Sequence, residues 1–433
     1  MRTRAAAATL SALMLAQPVW AELTPEEVRV VDSVRRHHDE NEALLETLVN
    51  VNSGTLNLHG VNAIADMLRP RFEALGFSVR WIPMNEVGRA GHLMAEIHAG
   101  SKSAKRILMI AHLDTVFEAD SPFQRFVRKG DIAEGPGTSD IKGGVVVILS
   151  ALRGLAEAGI LERTSITVFL TGDEEKPGHP IAVSRRDLIA AGKSHDLALD
   201  FEAMVRKDGK DAIYIGRRGT VGWRLAVTGA TGHSSGVGKG GGFGAVYEVA
   251  RIVDTFRREL PEDNLTFNTS LIAGGTTASL NEGETVARAT GKSNVIAAQA
   301  FAAGDLRALS DEQAQRVQQK MRDIVARHLN RTSADISFAE DDYPAMAPTT
   351  ASQALFDALS SVNADLGLPP LIEGDPASRG AGDIAFVAHD VPGLVGMGAA
   401  GEGAHAVGET VDLTSLDRQA ERAAILIARL SPR

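Results

Sequence analysis

The chemistry this sequence can do rests on His112, Asp140, the adjacent pair Glu174 and Glu175, Asp200 and His405. Imidazole nitrogen and carboxylate oxygen are ligands that zinc takes at about 2.0–2.2 Å, with one position left open for water at a catalytic site. Two metals about 3.5–4 Å apart need a bridging ligand, and a carboxylate has two oxygens to offer. Adjacent Glu174 and Glu175 point different ways. One can therefore bind metal while the other faces water, accepts its proton and passes it to a leaving amine. Asp114 lies two residues after His112, on the same face of an extended chain. It can take the second imidazole N–H and so fix the ring and its tautomer. Singly, each residue has an ordinary reading. Asp140 could cap a helix, Glu174-Glu175 could be an exposed acidic turn, and Asp200 a turn residue. His112 is one of twelve histidines. Their joint placement carries the argument.

Composition narrows what the set can be. The chain has 433 residues, 45 Lys+Arg against 55 Asp+Glu, and no cysteine. Without cysteine there is no disulfide, thiolate zinc site, iron–sulfur cluster or cysteine nucleophile, so a metal must be held by His, Asp and Glu. The formal charge of −10 argues against a nucleic-acid partner, which calls for a basic surface. The length exceeds what one core usually serves, about 250–300 residues, so two domains are expected.

The elements that must position these side chains follow from apolar periodicity. Ile107–Ala111 ends at His112, Ile166–Leu170 ends at Gly172-Asp-Glu-Glu175, and Leu197–Leu199 ends at Asp200. Val391–Met397 runs into Gly398-Ala-Ala-Gly-Glu-Gly403 and His405. Helical patterns lie over 25–76, 141–158 and 352–366. Strands alternating with helices predict an α/β domain with a doubly wound, mostly parallel sheet, and such sheets bind ligands beyond the carboxyl ends of their strands. The middle differs. An alternating strand over 221–228, a helix over 243–260, strands near 265–273, 284–289 and 299–307, a helix over 311–329 and a strand at 336–338 predict an inserted α+β domain. The boundaries are residues 22–211 and 331–433 for the first domain and 212–330 for the insert.

Residues 1–21 read as a signal peptide. Arg2 and Arg4 precede a short apolar run, and Val19 and Ala21 hold the −3 and −1 places of a cleavage site. The run is too short to span a bilayer, and no later stretch is long and apolar enough. A periplasmic or secreted protein without a membrane anchor is expected.

The segments His112-Leu-Asp114, Gly135-Pro-Gly-Thr-Ser-Asp140-Ile-Lys-Gly-Gly144 and Asp173-Glu-Glu175, with Asp200 and His405, resemble the co-catalytic zinc peptidases of the glutamate carboxypeptidase type. Succinyl-diaminopimelate desuccinylase, aminoacylase and bacterial di- and tripeptidases belong to the same family. The resemblance covers nearly all of the chain after residue 21. It implies two zinc ions per chain, with cobalt or manganese as alternatives. Asp140 would bridge them, His112 and Asp200 would complete one, and Glu175 and His405 the other. Glu174 would be the general base and Asp114 the carboxylate that orients His112. The insert would be a lid and dimerisation domain. Its His233 would polarise the scissile carbonyl, often from a partner subunit, and its Asn294 and Arg307 would hold a substrate carboxylate, as bidentate pairing favours. The expected reaction is amide cleavage in a small carboxylate-bearing substrate, as in a carboxypeptidase, or in an N-acyl amino acid, as in an aminoacylase or desuccinylase. A silent peptide-binding protein of the same fold would have lost Glu174 or a ligand, and none is lost.

Two places depart from the family pattern. Lys176-Pro-Gly-His-Pro180 replaces a short Gly/Ser turn, and its His179 is read as a loop residue rather than a ligand. Arg379, in Ser378-Arg-Gly-Ala-Gly-Asp383, is read as facing solvent, with a second anion contact as the alternative. A phosphate-cradling role fails, because Gly238-Lys-Gly-Gly-Gly242 lacks the Lys-Ser/Thr of a P-loop.

Overall fold

The structure is a computed structural model that describes residues 23–99, 104–281 and 286–432. The expected signal peptide lies outside them. Among the described residues no helix is long and apolar enough to cross a membrane.

Six strands form the main sheet, in the order Ser78–Pro83, Gly91–Ile97, Ser165–Thr171, Arg106–His112, Leu197–Asp200, Gly393–Val395. The last four run parallel, and the first two are an antiparallel hairpin added at one edge. Every residue of Ser165–Thr171 is buried, as expected of a strand covered on both faces. The pleat divides the neighbouring strand between two layers. Ile107, Met109 and Ala111 face a core shared with the helices Pro25–Arg36, Gly143–Glu157 and Thr414–Leu430. Leu108 and Ile110 face the other side, with Leu188, Ile384 and Val387. Local signals agree with this packing. The first helix opens on a complete Thr24–Glu27 capping box with proline at its first position, which satisfies donors that helix ends leave free.

Sheet order explains why the site forms here. From Arg106–His112 the chain crosses to a neighbour on one side, Ser165–Thr171, and then to a neighbour on the other, Leu197–Asp200. The reversal leaves a crevice beyond the end of the strand that carries His112.

The insert is a four-stranded antiparallel sheet ordered Thr266–Gly275, Gln299–Ala308, Gly219–Gly229, Thr332–Phe338. Helices Ala245–Glu259 and Asp311–Val325 bury their apolar stripes against it, around Trp223, Leu225, Val249, Ile252, Phe256 and Met321. Trp223 stacks on Phe267 at 5.3 Å and meets Phe256 edge-on at 5.9 Å. One boundary moves: Thr332–Phe338 pairs with Gly219–Gly229 along its whole length, so the insert's sheet runs past residue 330. Thr277–Leu280 and Ala287–Thr290 pair antiparallel; of the strand expected near 284–289, residues 284 and 285 lie outside the described residues. The two chain crossings between domains lie side by side. Arg217 and Met346 exchange both backbone hydrogen bonds at 2.9 Å, and Thr220 N–H donates to the Tyr343 carbonyl at 2.9 Å.

Candidate metal centre

Four loops leave the carboxyl ends of the parallel strands and meet in the crevice. His112 closes its own strand and is buried. Its Nδ1 lies 3.3 Å from Asp114 Oδ1 and its Nε2 3.1 Å from Asp140 Oδ1. Asp114 is itself fixed. It accepts from Thr55 Oγ1 at 2.6 Å and from the backbone N–H groups of Glu174 and Glu175 at 3.1 and 3.2 Å. His112 Nδ1 also lies 3.1 Å from the Asp114 carbonyl oxygen, so Asp114 meets the imidazole through its main chain as well as its carboxylate, and that carboxylate holds the Glu174-Glu175 turn.

Asp140 is the centre of the arrangement. Its Oδ1 faces His112, while its Oδ2 lies 3.2 Å from His405 Nε2. That histidine is also 3.1 Å from Glu175 Oε2. Two groups of metal-ligating atoms result, His112–Asp140–Glu202 and Asp140–Glu175–His405, each within 4.8 Å of one another and sharing Asp140. Burial alone would raise Asp140, but the imidazoles on its two oxygens hold it well below the ordinary carboxylate range. His112 moves the opposite way: burial opposes its proton, and Asp114, Asp140 and Glu202 outweigh burial and raise it. His405 sits after the glycine-rich loop at φ +66°, is 57% exposed, and is pushed up to about 11 by Asp140 and Glu175.

The loop that presents Asp140 hangs on a residue the sequence did not single out. Glu409 is buried and accepts the backbone N–H groups of Gly137, Ser139 and Asp140 at 3.0, 2.8 and 2.9 Å. Burial pushes Glu409 up to about 7 against those bonds.

The structure corrects one expected ligand. Asp200 belongs to neither group. Its Oδ1 accepts the backbone N–H of Glu202 at 3.3 Å, and its Oδ2 faces Arg217 Nη1 at 3.7 Å. Glu202 takes the place instead, with Oε1 3.6 Å from His112 Nε2. The strand stops at Asp200, but the chain carries on two residues before its carboxylate reaches His112. The spacing was present in the sequence, since Asp200-Phe-Glu202 repeats the two-residue step of His112-Leu-Asp114. Glu202→Gln is expected to remove one tightly bound metal per chain, while Asp200→Asn retains two. Metal analysis of the desalted proteins distinguishes them, and the reverse result would restore Asp200 as the ligand.

The donor set fits a pair of divalent ions. Two ligand atoms at about 2.0–2.2 Å from one tetrahedral ion stand about 3.3–3.6 Å apart, close to the 3.1–3.6 Å separations found here. Glu175 Oε1 is buried without a hydrogen-bond partner, a costly state for a carboxylate that a cation relieves. Glu174 stands in neither group. Burial pushes it well above the ordinary carboxylate range, with His112 opposing and Glu202, Asp383 and Glu175 adding to the rise. Its backbone carbonyl accepts from the Tyr343 hydroxyl at 2.9 Å.

Behind this turn lies a buried ionic network. Arg185 is fully buried between Asp173 at 2.6 Å and Asp383 at 2.7 Å, and reaches the Tyr343 hydroxyl at 3.2 Å. Removing one partner of a buried set leaves charges uncompensated, at a cost of about 3–5 kcal/mol. Arg185→Met is expected to lower the metal-free protein's stability by that amount in denaturant titration; an unchanged midpoint would show the network is dispensable. The pH sense follows from Asp173. Burial would raise it, but Arg185 and His92 hold it below its unfolded value. Its stabilisation is therefore complete above about pH 4 and is lost as pH falls through the lower folded value.

The insert's His233, Asn294 and Arg307 belong to neither ligand group. His233 is exposed and caps the short turn Ser234–Gly236. Asn294 is exposed beside it, its carbonyl accepting Ser234 N–H at 3.0 Å. Arg307 pairs with Asp305 at 2.9 Å. His179 is a loop residue, with Nδ1 2.7 Å from Asp341. Arg379 corrects the solvent-facing expectation. Its side chain is 15% exposed and Nη2 donates to Glu202 Oε2 at 2.9 Å.

With the geometry in place, comparison with known proteins decides the family. The sequence profile described as peptidase family M20/M25/M40 matches residues 108–429. The chain belongs to this family. Among M20 relatives it is 28% identical over 404 residues to carboxypeptidase G2 of Pseudomonas sp. (strain RS-16), covering 90% of each chain. It is 27% identical over 367 residues to succinyl-diaminopimelate desuccinylase of Acidiphilium cryptum, covering 82% of this chain and 90% of the relative. Its fold is similar to aminopeptidase PepT from Bacillus cereus, with a TM-score of 0.68 and 18% identity over 91% of this chain and 98% of that one. It is also similar to the Bacillus subtilis YXEP protein, described as a dinuclear metal-binding peptidase of the M20 family. The TM-score there is 0.64, with 17% identity over 91% of this chain and 98% of that one. This M20 chain is thus a metallopeptidase-type hydrolase, and its doubly wound domain with an α+β insert is the family's fold.

Proposed function

We propose that this chain is an exported hydrolase that uses two metal ions, zinc before cobalt or manganese, to cleave the amide bond of a small substrate bearing a free carboxylate. The observation that carries the reading is the division of Asp140, one oxygen toward His112 and the other toward His405. His112, Asp140 and Glu202 would hold one ion, and Asp140, Glu175 and His405 the other. When bound, the ions supply Lewis acidity and make water a better nucleophile at neutral pH.

The chain's own groups do the rest. Glu174 accepts the proton of the attacking water and delivers it to the departing amine. A carboxyl raised by burial suits both halves of that task. Asp114 keeps His112 oriented while its oxygens hold the Glu174 and Glu175 backbone. From the insert, residues 212–330 in the sequence reading, His233 donates to the developing oxyanion. Arg307 and Asn294 bind the substrate carboxylate. Closure of this lid excludes water. Two copies joined through their lids would let His233 act on the partner's site, a dimer that sedimentation would reveal. Cleavage after Ala21 and export are part of the same reading, checked by the N-terminus of the mature protein.

Carboxypeptidase action on a conjugate ending in an acidic residue is preferred, because the relative matched along 90% of both chains is named a carboxypeptidase. Desuccinylase or aminoacylase action is the second reading, from the relatives of that name. The test is product release by metal-reconstituted protein from folate-type conjugates, N-acetyl amino acids, N-succinyl diaminopimelate and dipeptides. Each is run with and without chelator. Chelator-sensitive cleavage of the folate-type conjugates supports the first reading, and preference for an acyl substrate replaces it with the second. No turnover by protein holding two metals would exclude both.

A further inference from the structure

We infer that Arg379 is a positioning residue, one that holds Glu202 so that a single carboxylate oxygen is presented to the His112 side of the metal pair. The inference rests on the metal reading above and extends it to residues outside both ligand groups. Glu202 is buried, and its two oxygens have different neighbours. Oε1 lies 3.6 Å from His112 Nε2, while Oε2 accepts from Arg379 Nη2 at 2.9 Å. A carboxylate with one oxygen engaged by an arginine cannot turn that oxygen to a metal without losing a charge-assisted hydrogen bond. It is therefore offered as a one-oxygen ligand in one orientation.

Arg379 is held in its turn. Its guanidinium carbon lies 5.9 Å from the centre of the Tyr214 ring, and the Tyr214 hydroxyl is 3.1 Å from Ser378 Oγ. The next two residues are pinned by buried Arg217, whose Nε and Nη2 donate to the carbonyls of Gly380 and Ala381, each at 2.7 Å. Arg217 Nη1 has no hydrogen-bond partner and lies between Asp200 Oδ2 at 3.7 Å and Glu202 Oε2 at 3.8 Å. This gives Asp200 a use: it balances the arginine that fastens the Arg379 loop. Among the described residues the His405 side has no such clamp. Among the described residues the Glu175 carboxylate pairs with His405 through Oε2, and its Oε1 has no hydrogen-bond partner. The two metal positions are therefore supported unequally, and losing the clamp affects one of them.

The test titrates metal-free protein with Co2+, and with Zn2+ against a chromophoric chelator, for the native chain, Arg379→Gln and Arg379→Lys. Groups that orient a metal ligand are worth about 10–100-fold in affinity. In the Gln variant one of the two equivalents is expected to weaken by that factor, with a changed visible Co2+ spectrum, while the other keeps its affinity. Lysine restores part of the loss, since it returns the charge but not the planar fork. The metal-free protein is expected to melt lower, because buried Glu202 loses its ion-pair partner; the difference between the two metal equivalents carries the test. Unchanged affinities and spectrum in Arg379→Gln would overturn the inference. So would equal weakening of both equivalents, which would make Arg379 a general structural residue. A native chain that takes up fewer than two equivalents would overturn the metal reading itself and this inference with it.

Discussion

Replacing Glu174 by glutamine is expected to lower kcat by about 10²–10⁴-fold, the usual contribution of a positioned general base, while the two bound metals and the melting temperature stay as they are. The geometry sets these three expectations together. Glu174 lies in neither group of ligating atoms, so an amide there removes no metal. Its backbone is held by Asp114 and Tyr343 through main-chain atoms, so the loop keeps its shape whatever the side chain. Only the proton-carrying step is lost, because an amide cannot accept a proton from water at neutral pH. Metal analysis, a thermal melt and steady-state kinetics on the best substrate check the three parts. Full activity in Glu174→Gln would place the base elsewhere. Loss of one metal would make Glu174 a ligand and Glu175 the base, the other assignment that adjacency alone allows.

Asp140→Asn is expected to be the more damaging change to the centre. A carboxylate can serve both sides, with Oδ1 toward His112 and Oδ2 toward His405. An asparagine has one acceptor oxygen, and its NH2 group has only donors. The variant can complete at most one group, and the site loses a negative charge shared by two cations. Bound metal is expected to fall to one equivalent per chain or less. Turnover should fall by about 10³-fold or more, in keeping with the several kcal/mol that such ions supply. The measurement is metal content after gel filtration, beside the rate. Two equivalents retained in Asp140→Asn would show that the ions do not share this residue.

Much of this was legible in the sequence because it depends on short-range pattern. The runs ending at His112 and at Thr171 became parallel strands, and the sheet order brought their ends together. Asp200 shows where that legibility stops. A strand end is a good place to seek a ligand, but which of two carboxylates in Asp200-Phe-Glu202 turns toward the metal side depends on what packs behind them. That is Arg217, which arrives from the crossing between domains. Arg379 misled for a related reason. Arginine in a glycine-rich loop looks solvated until a buried glutamate from another strand lies within reach. Glu409 had no local signal, since its partners are backbone N–H groups at 137, 139 and 140. The edge hairpin Ser78–Pro83 and Gly91–Ile97 and the helix Thr414–Leu430 had no reading at all. The position of the insert's last strand likewise followed from pairing with Gly219–Gly229 rather than from its own residues.

The paired crossing between the domains has a mechanical consequence. Arg217 and Met346 are bonded in both directions, and Thr220 to Tyr343 beside them, so the outgoing and returning chains cannot slip past each other. They form one strap of doubled width, in which shear or twist would break the paired backbone hydrogen bonds while flexing across the flat side would keep them. Any swing of the insert would have to flex this doubled segment. The strap is also geared to the chemistry, because the Tyr343 hydroxyl grips the carbonyl of Glu174 and Asp341 takes the N–H of Ile181 at 2.6 Å. If Glu174 is the base, an inward movement of the insert would pull on the turn that carries it, and occupancy of the cleft would be felt there through the main chain.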